Sequence, residues 1–190
     1  MERKEFIRTF IAVPVTLPEL LIRVQDELKE TLRDEQIRWV DRSHMHLTLR
    51  FLGEVSVDDA LWVGKQMHVA YRQFSTGDFV LKGLGTFGHP SELHVLWVGM
   101  KERSGIIQLR EASDLFLEKR FSDLETRSFK PHLTLGRMKK VADPKKINAV
   151  VEKYQEMEFG RCVLSRILLY RSILDNDGPV YETLEEVKLR

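Results

Sequence analysis

The chain has a single cysteine, Cys162. No internal disulfide can form from it and no all-cysteine zinc site, which fits a reducing compartment. No run approaches the roughly 20 apolar residues that a membrane span needs. The N-terminus, Met1-Glu-Arg-Lys-Glu-Phe6, is charged and leads into no apolar stretch of signal-peptide length. A cytoplasmic protein is expected. Net charge is nearly absent as well: 30 Lys and Arg against 29 Asp and Glu leave +1. That excludes a strong overall pull toward nucleic acid or anionic membrane, though not a local basic cleft. There is no Ser/Pro/Gly-rich linker, no low-complexity tract and no phosphate-cradling Walker sequence. What remains, 43% hydrophobic and 31% charged residues, describes a soluble globular protein able to form a sizeable core.

One tetrad occurs twice. The first copy is His46-Leu47-Thr48-Leu49, the second His132-Leu133-Thr134-Leu135, 86 positions apart (132 minus 46). In a chain of 190 residues this places one copy in each half and suggests a duplicated unit or two mirrored lobes. Each copy alternates polar and apolar, the period of a β-strand with one buried face. The leucines then point to the core, and His46, Thr48, His132 and Thr134 share the other face if the strands lie side by side or across a cleft.

Two imidazoles and two hydroxyls suit acid–base work on an anion. One imidazole can take a proton from a nucleophile while the other gives one to a leaving group, both near neutral pH. Threonine hydroxyls can donate to oxygens that carry negative charge. Neither a nucleophilic side chain, nor a metal, nor a cofactor is required. A lone half-buried strand histidine is usually structural; two of them, each followed at i+2 by Thr in matching frames, point to chemistry.

The order of elements follows from periodicity. Strands are expected over Arg8–Pro14, Arg38–Val40, the two tetrads, Phe79–Leu81, Leu93–Val98, Cys162–Tyr170 and Val180–Val187. Helices are expected from Pro18 to about Arg33, Val57 to about Phe74, Gly105 to about Arg120, and after Asp143-Pro144, with Asp as N-cap and Pro at N1. Asn176-Asp-Gly178 should turn between the last two strands. Strands in neighbouring pairs between helices argue an α+β fold with largely antiparallel sheets. Residues 1–190 are expected to form a single compact bilobal domain.

Some motifs mislead. Gly83-Leu-Gly85-Thr-Phe-Gly88 matches the dinucleotide fingerprint, but His89-Pro90 and a strand follow where a helix is needed, so a turn or bulge is expected. His44 and His46 lack further metal partners at recognisable spacing. His68 and His89 are expected to be solvated, His94 structural, and the tryptophans core.

The two tetrads, with Phe10-Ile-Ala-Val-Pro14, Arg38-Trp39, His46-Leu-Thr-Leu-Arg-Phe-Leu-Gly53, Lys130-Pro-His-Leu-Thr-Leu-Gly-Arg137, Leu169-Tyr-Arg-Ser172 and Asp177-Gly-Pro-Val-Tyr181, resemble the two-histidine (2H) phosphoesterase superfamily. The nearer resemblance is to its RNA 2′,3′-cyclic phosphodiesterase branch, also called 2′-5′ RNA ligase. It implies two α+β lobes related by a pseudo-twofold, with the two HxTx strands facing each other across a central cleft. It also implies metal-independent opening of an RNA 2′,3′-cyclic phosphate to a 2′-phosphomonoester. Carried over, His132 is the general base and His46 the general acid, while Thr48, Thr134 and Arg137 hold phosphate oxygens.

Arg137 lies five residues from His132 and so faces away on a regular strand; a bulge at Gly136 is needed to bring it round. Arg50, at i+4 from His46, faces the cleft without one and is the second candidate. Phe10, Trp39 and Tyr170 are candidates to stack on a base. The partner is RNA with a cyclic end or a cyclic nucleotide, with no membrane and no obligate protein partner. The alternatives are 2′-5′ RNA ligation by the reverse chemistry and a non-enzymatic RNA-end binding module. Water at about 55 M favours hydrolysis by mass action.

Overall fold

Leu21, Val24 and Leu28 are buried on one stripe of helix α1 (Glu19–Thr31), and Leu32, the residue that caps its C-terminus, is buried after them. The same pattern recurs at Ile106, Leu109, Ala112 and Phe116 in α3 (Ser104–Leu117). Helix α2 (Val57–Tyr71) starts where the Ser56 hydroxyl accepts from the Asp59 amide, and α4 (Pro144–Tyr154) where the Asp143 carboxylate accepts from Lys145 and Lys146. Side chains there satisfy amides that a helix leaves unpaired. The computed structural model describes residues 5–89, 92–124, 128–175 and 178–190. Among these, no helix is long and apolar enough to cross a membrane.

The strands are β1 (Phe6–Pro14), β2 (Gln36–Trp39), β3 (His46–Ser56), β4 (Gly77–His89), β5 (Glu92–Lys101), β6 (Leu133–Lys140), β7 (Glu158–Leu164), β8 (Arg166–Asp175) and β9 (Gly178–Lys188). Among the described residues they form one sheet, ordered β7-β4-β5-β6-β3-β1-β8-β9 with β2 beside β6. Every pairing is antiparallel. The fold is α+β and two-lobed.

A shift of 86 positions lays β1 on β5, α1 on α3, β3 on β6, α2 on α4 and β4 on β8. The lobes meet where Leu47 of β3 pairs with Leu133 of β6. These residues are equivalent in the two halves, as a pseudo-twofold axis through an antiparallel bridge requires. Strands cross between lobes: β2 and β4 of the first half pair with β6 and β5, and β8 of the second half pairs with β1. One core of buried residues draws on both halves, including Leu47, Leu49, Leu133 and Leu135. Truncating any of these to alanine costs about 2–5 kcal/mol.

One expectation changes and one open alternative is decided. The run Cys162–Tyr170 is two strands, β7 and β8, divided at Ser165. β7 pairs with β4 in one lobe and β8 with β1 in the other, so the chain crosses the molecule there. The glycine run is no turn: it lies within β4, bulged around Gly83 and Gly88. Three of the expected turn residues, Pro90, Asn176 and Asp177, lie outside the described residues, as do residues 1–4.

Candidate active site

Leu47, Leu49, Leu133 and Leu135 are at most 1% exposed on the helix side of the sheet. His46, Thr48, His132 and Thr134 are half-buried on the other side, and line one cleft of about 780 Å³. The Leu47–Leu133 bridge sets His46 beside Thr134 and Thr48 beside His132.

Both strands then break phase at the same place. Opposite β3, Ala12 pairs with Thr48 and Ile11 with Arg50, which leaves Leu49 unpaired. Opposite β6, Trp97 pairs with Thr134 and Leu96 with Gly136, which leaves Leu135 unpaired. Each is a bulge at the last residue of the tetrad, and beyond it the facing is inverted. Arg137 is thereby turned onto the cleft wall. Arg50 is turned away from it, contrary to expectation. It is 6% exposed, with Nε 3.4 Å from the Asp114 carboxylate on α3. Phe51, the equivalent of Arg137, lines the cleft in its place. The bulge carbonyls are held by different donors: Leu49 O accepts from Arg110 Nη1 at 2.9 Å, and Leu135 O from the Val40 amide at 2.8 Å.

The two imidazoles are anchored alike. His46 Nδ1 lies 2.7 Å from the carbonyl of His44, and His132 Nδ1 2.7 Å from that of Lys130. A carbonyl only accepts, so each Nδ1 carries a proton and each neutral ring presents a bare Nε2 lone pair. Burial pushes the His46 pKa down to about 4, against the His44 carbonyl bond and with help from the Arg137, His44 and His132 charges. His132 is lowered too, first by burial, then by Arg137 and Lys130, with the Lys130 carbonyl opposing. Burial disfavours the charged imidazole.

Aromatic rings seat each histidine. Phe10 lies 5.0 Å from the His46 ring and Tyr181 stands edge-on at 5.2 Å. Phe87 meets His132 edge-on at 4.7 Å, and Trp97 lies 6.3 Å from it. Trp97 lies over Gly85, where a Cβ would fall 2.3 Å from the indole. The glycine that mimicked a dinucleotide fingerprint makes room for that ring.

The stacking candidates separate. Phe10 is 2% exposed and enclosed by His46, Phe51, Tyr170 and Tyr181, so no face of it is open to a base. Tyr170 packs behind Phe10, half-buried; Trp39 is half-buried on the cleft wall. Sequence reasoning missed Tyr181, Phe51, Arg8 and Arg38 as cleft residues. Only the curl that brings β9 over β3 places Tyr181, and only the bulge places Phe51. His68 and His94 are exposed. Among the described residues no cluster of three His, Cys, Asp or Glu could hold a metal ion.

Residues 9–189 match the model of the AKAP7 2′5′ RNA ligase-like domain. An RNA 2′,3′-cyclic phosphodiesterase of Aeropyrum pernix is 32% identical over 169 residues, covering 88% of this chain and 94% of that protein. One of Methanocaldococcus jannaschii is 28% identical over 180 residues, covering 95% and 99%. The crystal structure of TT0787 of Thermus thermophilus superposes with a TM-score of 0.76 at 28% identity, over 96% of this chain and 98% of that one.

Proposed function

The chain belongs to the AKAP7 2′5′ RNA ligase-like domain family of 2H phosphoesterases, and from that premise we propose that it hydrolyses RNA 2′,3′-cyclic phosphodiester ends to 2′-phosphomonoesters. One observation carries this above the others. Two imidazoles from distant parts of the chain open on one cleft, each with Nδ1 tied back to a carbonyl and Nε2 left for substrate.

The steps use this chain's own groups. His132 Nε2 takes a proton from water as the water oxygen bonds to phosphorus. The bond from phosphorus to the 3′ oxygen breaks, and His46 Nε2–H gives that oxygen its proton. The product carries a 2′-phosphate and a 3′-hydroxyl. Thr48, Thr134 and Arg137 hold the non-bridging oxygens. Burial keeps His46 neutral at pH 7 in the free protein, so it takes up its proton as the phosphate anion arrives. Opposite charge nearby favours the imidazolium. Positioned acid–base groups contribute roughly 10²–10⁴ each, enough without a metal.

Incubation with 2′,3′-cyclic AMP tests this. Adenosine 2′-monophosphate should form, and EDTA should not slow it. A 3′-monophosphate product, or loss of activity restored by one added metal, contradicts the mechanism. We also take residues 1–190 as one bilobal domain, supported by the exchanged strands and shared core. Urea should unfold it in a single transition. The lone, buried Cys162 fits a cytoplasmic protein.

A further inference from the structure

Arg38 and Arg137 sit directly opposite one another on β2 and β6. Like charges in that relation repel. Most arginines of this chain are relieved by an acid: Arg42 by Asp26, Arg110 by Asp114, Arg120 by Asp59, Arg161 by Asp78. Among the described residues no carboxylate is within ion-pair distance of Arg38, Arg137 or Arg8. Arg8 is two residues from Phe10 on the cleft face of β1, and all three arginines line the cleft with Tyr181. Their charges all reach the Tyr181 phenol. Arg38 extends toward β9, where a Cβ added at Gly178 would fall 2.6 Å from its Nη2.

The acids of the cleft do not cancel this charge. Asp41 is engaged by the amide and hydroxyl of Ser43. Asp175, the last residue of β8, lines the cleft as well but is not within ion-pair distance of Arg8, Arg38 or Arg137. A cyclic phosphodiester carries one negative charge, which Arg137 and the two threonines can meet. Two further guanidiniums on the same wall, with no carboxylate of the described residues within ion-pair distance although Glu54 lies in register opposite Arg8, call for a second anion.

We propose that Arg8 and Arg38, which line the cleft together with Tyr181, bind a second phosphate: the group on the 5′ oxygen of the nucleotide whose ring is opened. In an RNA that group is the last internucleotide linkage; in a mononucleotide it is a terminal 5′-phosphate. This rests on the reaction assigned above. A cleft of about 780 Å³ is within the usual range for a ligand of nucleotide size. A charge-assisted contact of this kind is worth roughly tenfold to a hundredfold in binding.

The test measures kcat/KM for 2′,3′-cyclic AMP, its 5′-phosphorylated form and a short RNA with a 2′,3′-cyclic end. Binding of adenosine 2′-monophosphate and adenosine 2′,5′-bisphosphate is measured beside it. The 5′-phosphate should raise kcat/KM about tenfold or more, through KM, and the bisphosphate should bind correspondingly tighter. In Arg38→Gln and in Arg8→Gln, both ratios should fall toward one. Gain with the phosphorylated mononucleotide and the RNA alike supports the shared phosphate. Gain with RNA alone that these variants abolish supports the internucleotide linkage as its source. Gain that neither variant alters, or no gain, overturns the subsite. If no ring is opened at all, the assigned reaction fails. The binding ratio then still decides: a tighter bisphosphate supports the subsite and equal binding overturns it.

Discussion

Arg110 donates to the carbonyl of Leu49 at 2.9 Å, from the helix side of the sheet. Leu49 is the bulged residue between Thr48 and Arg50, so this bond fixes the point where β3 changes phase. Arg110 also grips Asp114 through two oxygens, at 2.8 and 2.9 Å. One side chain thus ties α3 to the backbone that sets Thr48 on the cleft wall.

Arg110→Met should therefore act on both stability and catalysis. Breaking a largely buried ion pair costs about 3 kcal/mol, which urea titration reads as a lower midpoint. Freed of its anchor, the bulge should shift Thr48 and lower kcat/KM by roughly tenfold, since misplacement of a binding group is costly. Lysine lacks the planar fork, so Arg110→Lys should not restore either. Unchanged kcat/KM in Arg110→Met would show that the bulge holds itself.

The alternation of His46-Leu-Thr-Leu49 and its repeat made the buried and open faces legible from sequence. The 86-residue spacing made the two lobes legible. What failed were places where one residue is added or a partner is distant. Leu49 and Leu135 look like any strand leucine, yet as bulges they invert the facing of Arg50 and Arg137. Gly136 points to a bulge in the second copy, one residue beyond its actual place at Leu135, and nothing in the first copy points to the one at Leu49. Ser165 carries the chain between lobes with no Gly or Pro to mark the crossing. Tyr181 reaches His46 only because β8 and β9 fold against β1.

The pH dependence follows from the two imidazoles. Both titrate below the ordinary value of about 6.5 in the free protein. The profile of kcat/KM reports the free enzyme, so its bell should be centred below pH 6.5, with the profile of kcat displaced to higher pH by the bound anion. Stability carries the same sign. The unfolded chain binds a proton at His46 near pH 6.5 and the folded one near pH 4, so stability falls as pH drops through that window, by up to about 1.4 kcal/mol per unit. Denaturation at pH 7 and pH 4.5 should show His46→Gln losing less than the native chain. A kcat/KM optimum above pH 7.5 contradicts the account of burial.

Gly85→Ala should disturb His132 from beneath. The new Cβ would overlap the Trp97 ring at 2.3 Å, and overpacking of this kind costs about 1–3 kcal/mol. Trp97 seats His132, and the Lys130 ammonium lies 4.2 Å above the indole. The melting temperature should drop, tryptophan fluorescence should change and turnover should fall. A variant with native fluorescence and native turnover would show that the indole seat is dispensable.

The most direct test of two imidazoles acting on one phosphorus is a double-mutant cycle on kcat with 2′,3′-cyclic AMP. His46→Gln and His132→Gln should each lower kcat at least about a hundredfold, and the double variant should be little worse than either, because groups acting in one step are far from additive. Native-like turnover in either folded single variant, or losses that multiply in the double, would contradict it.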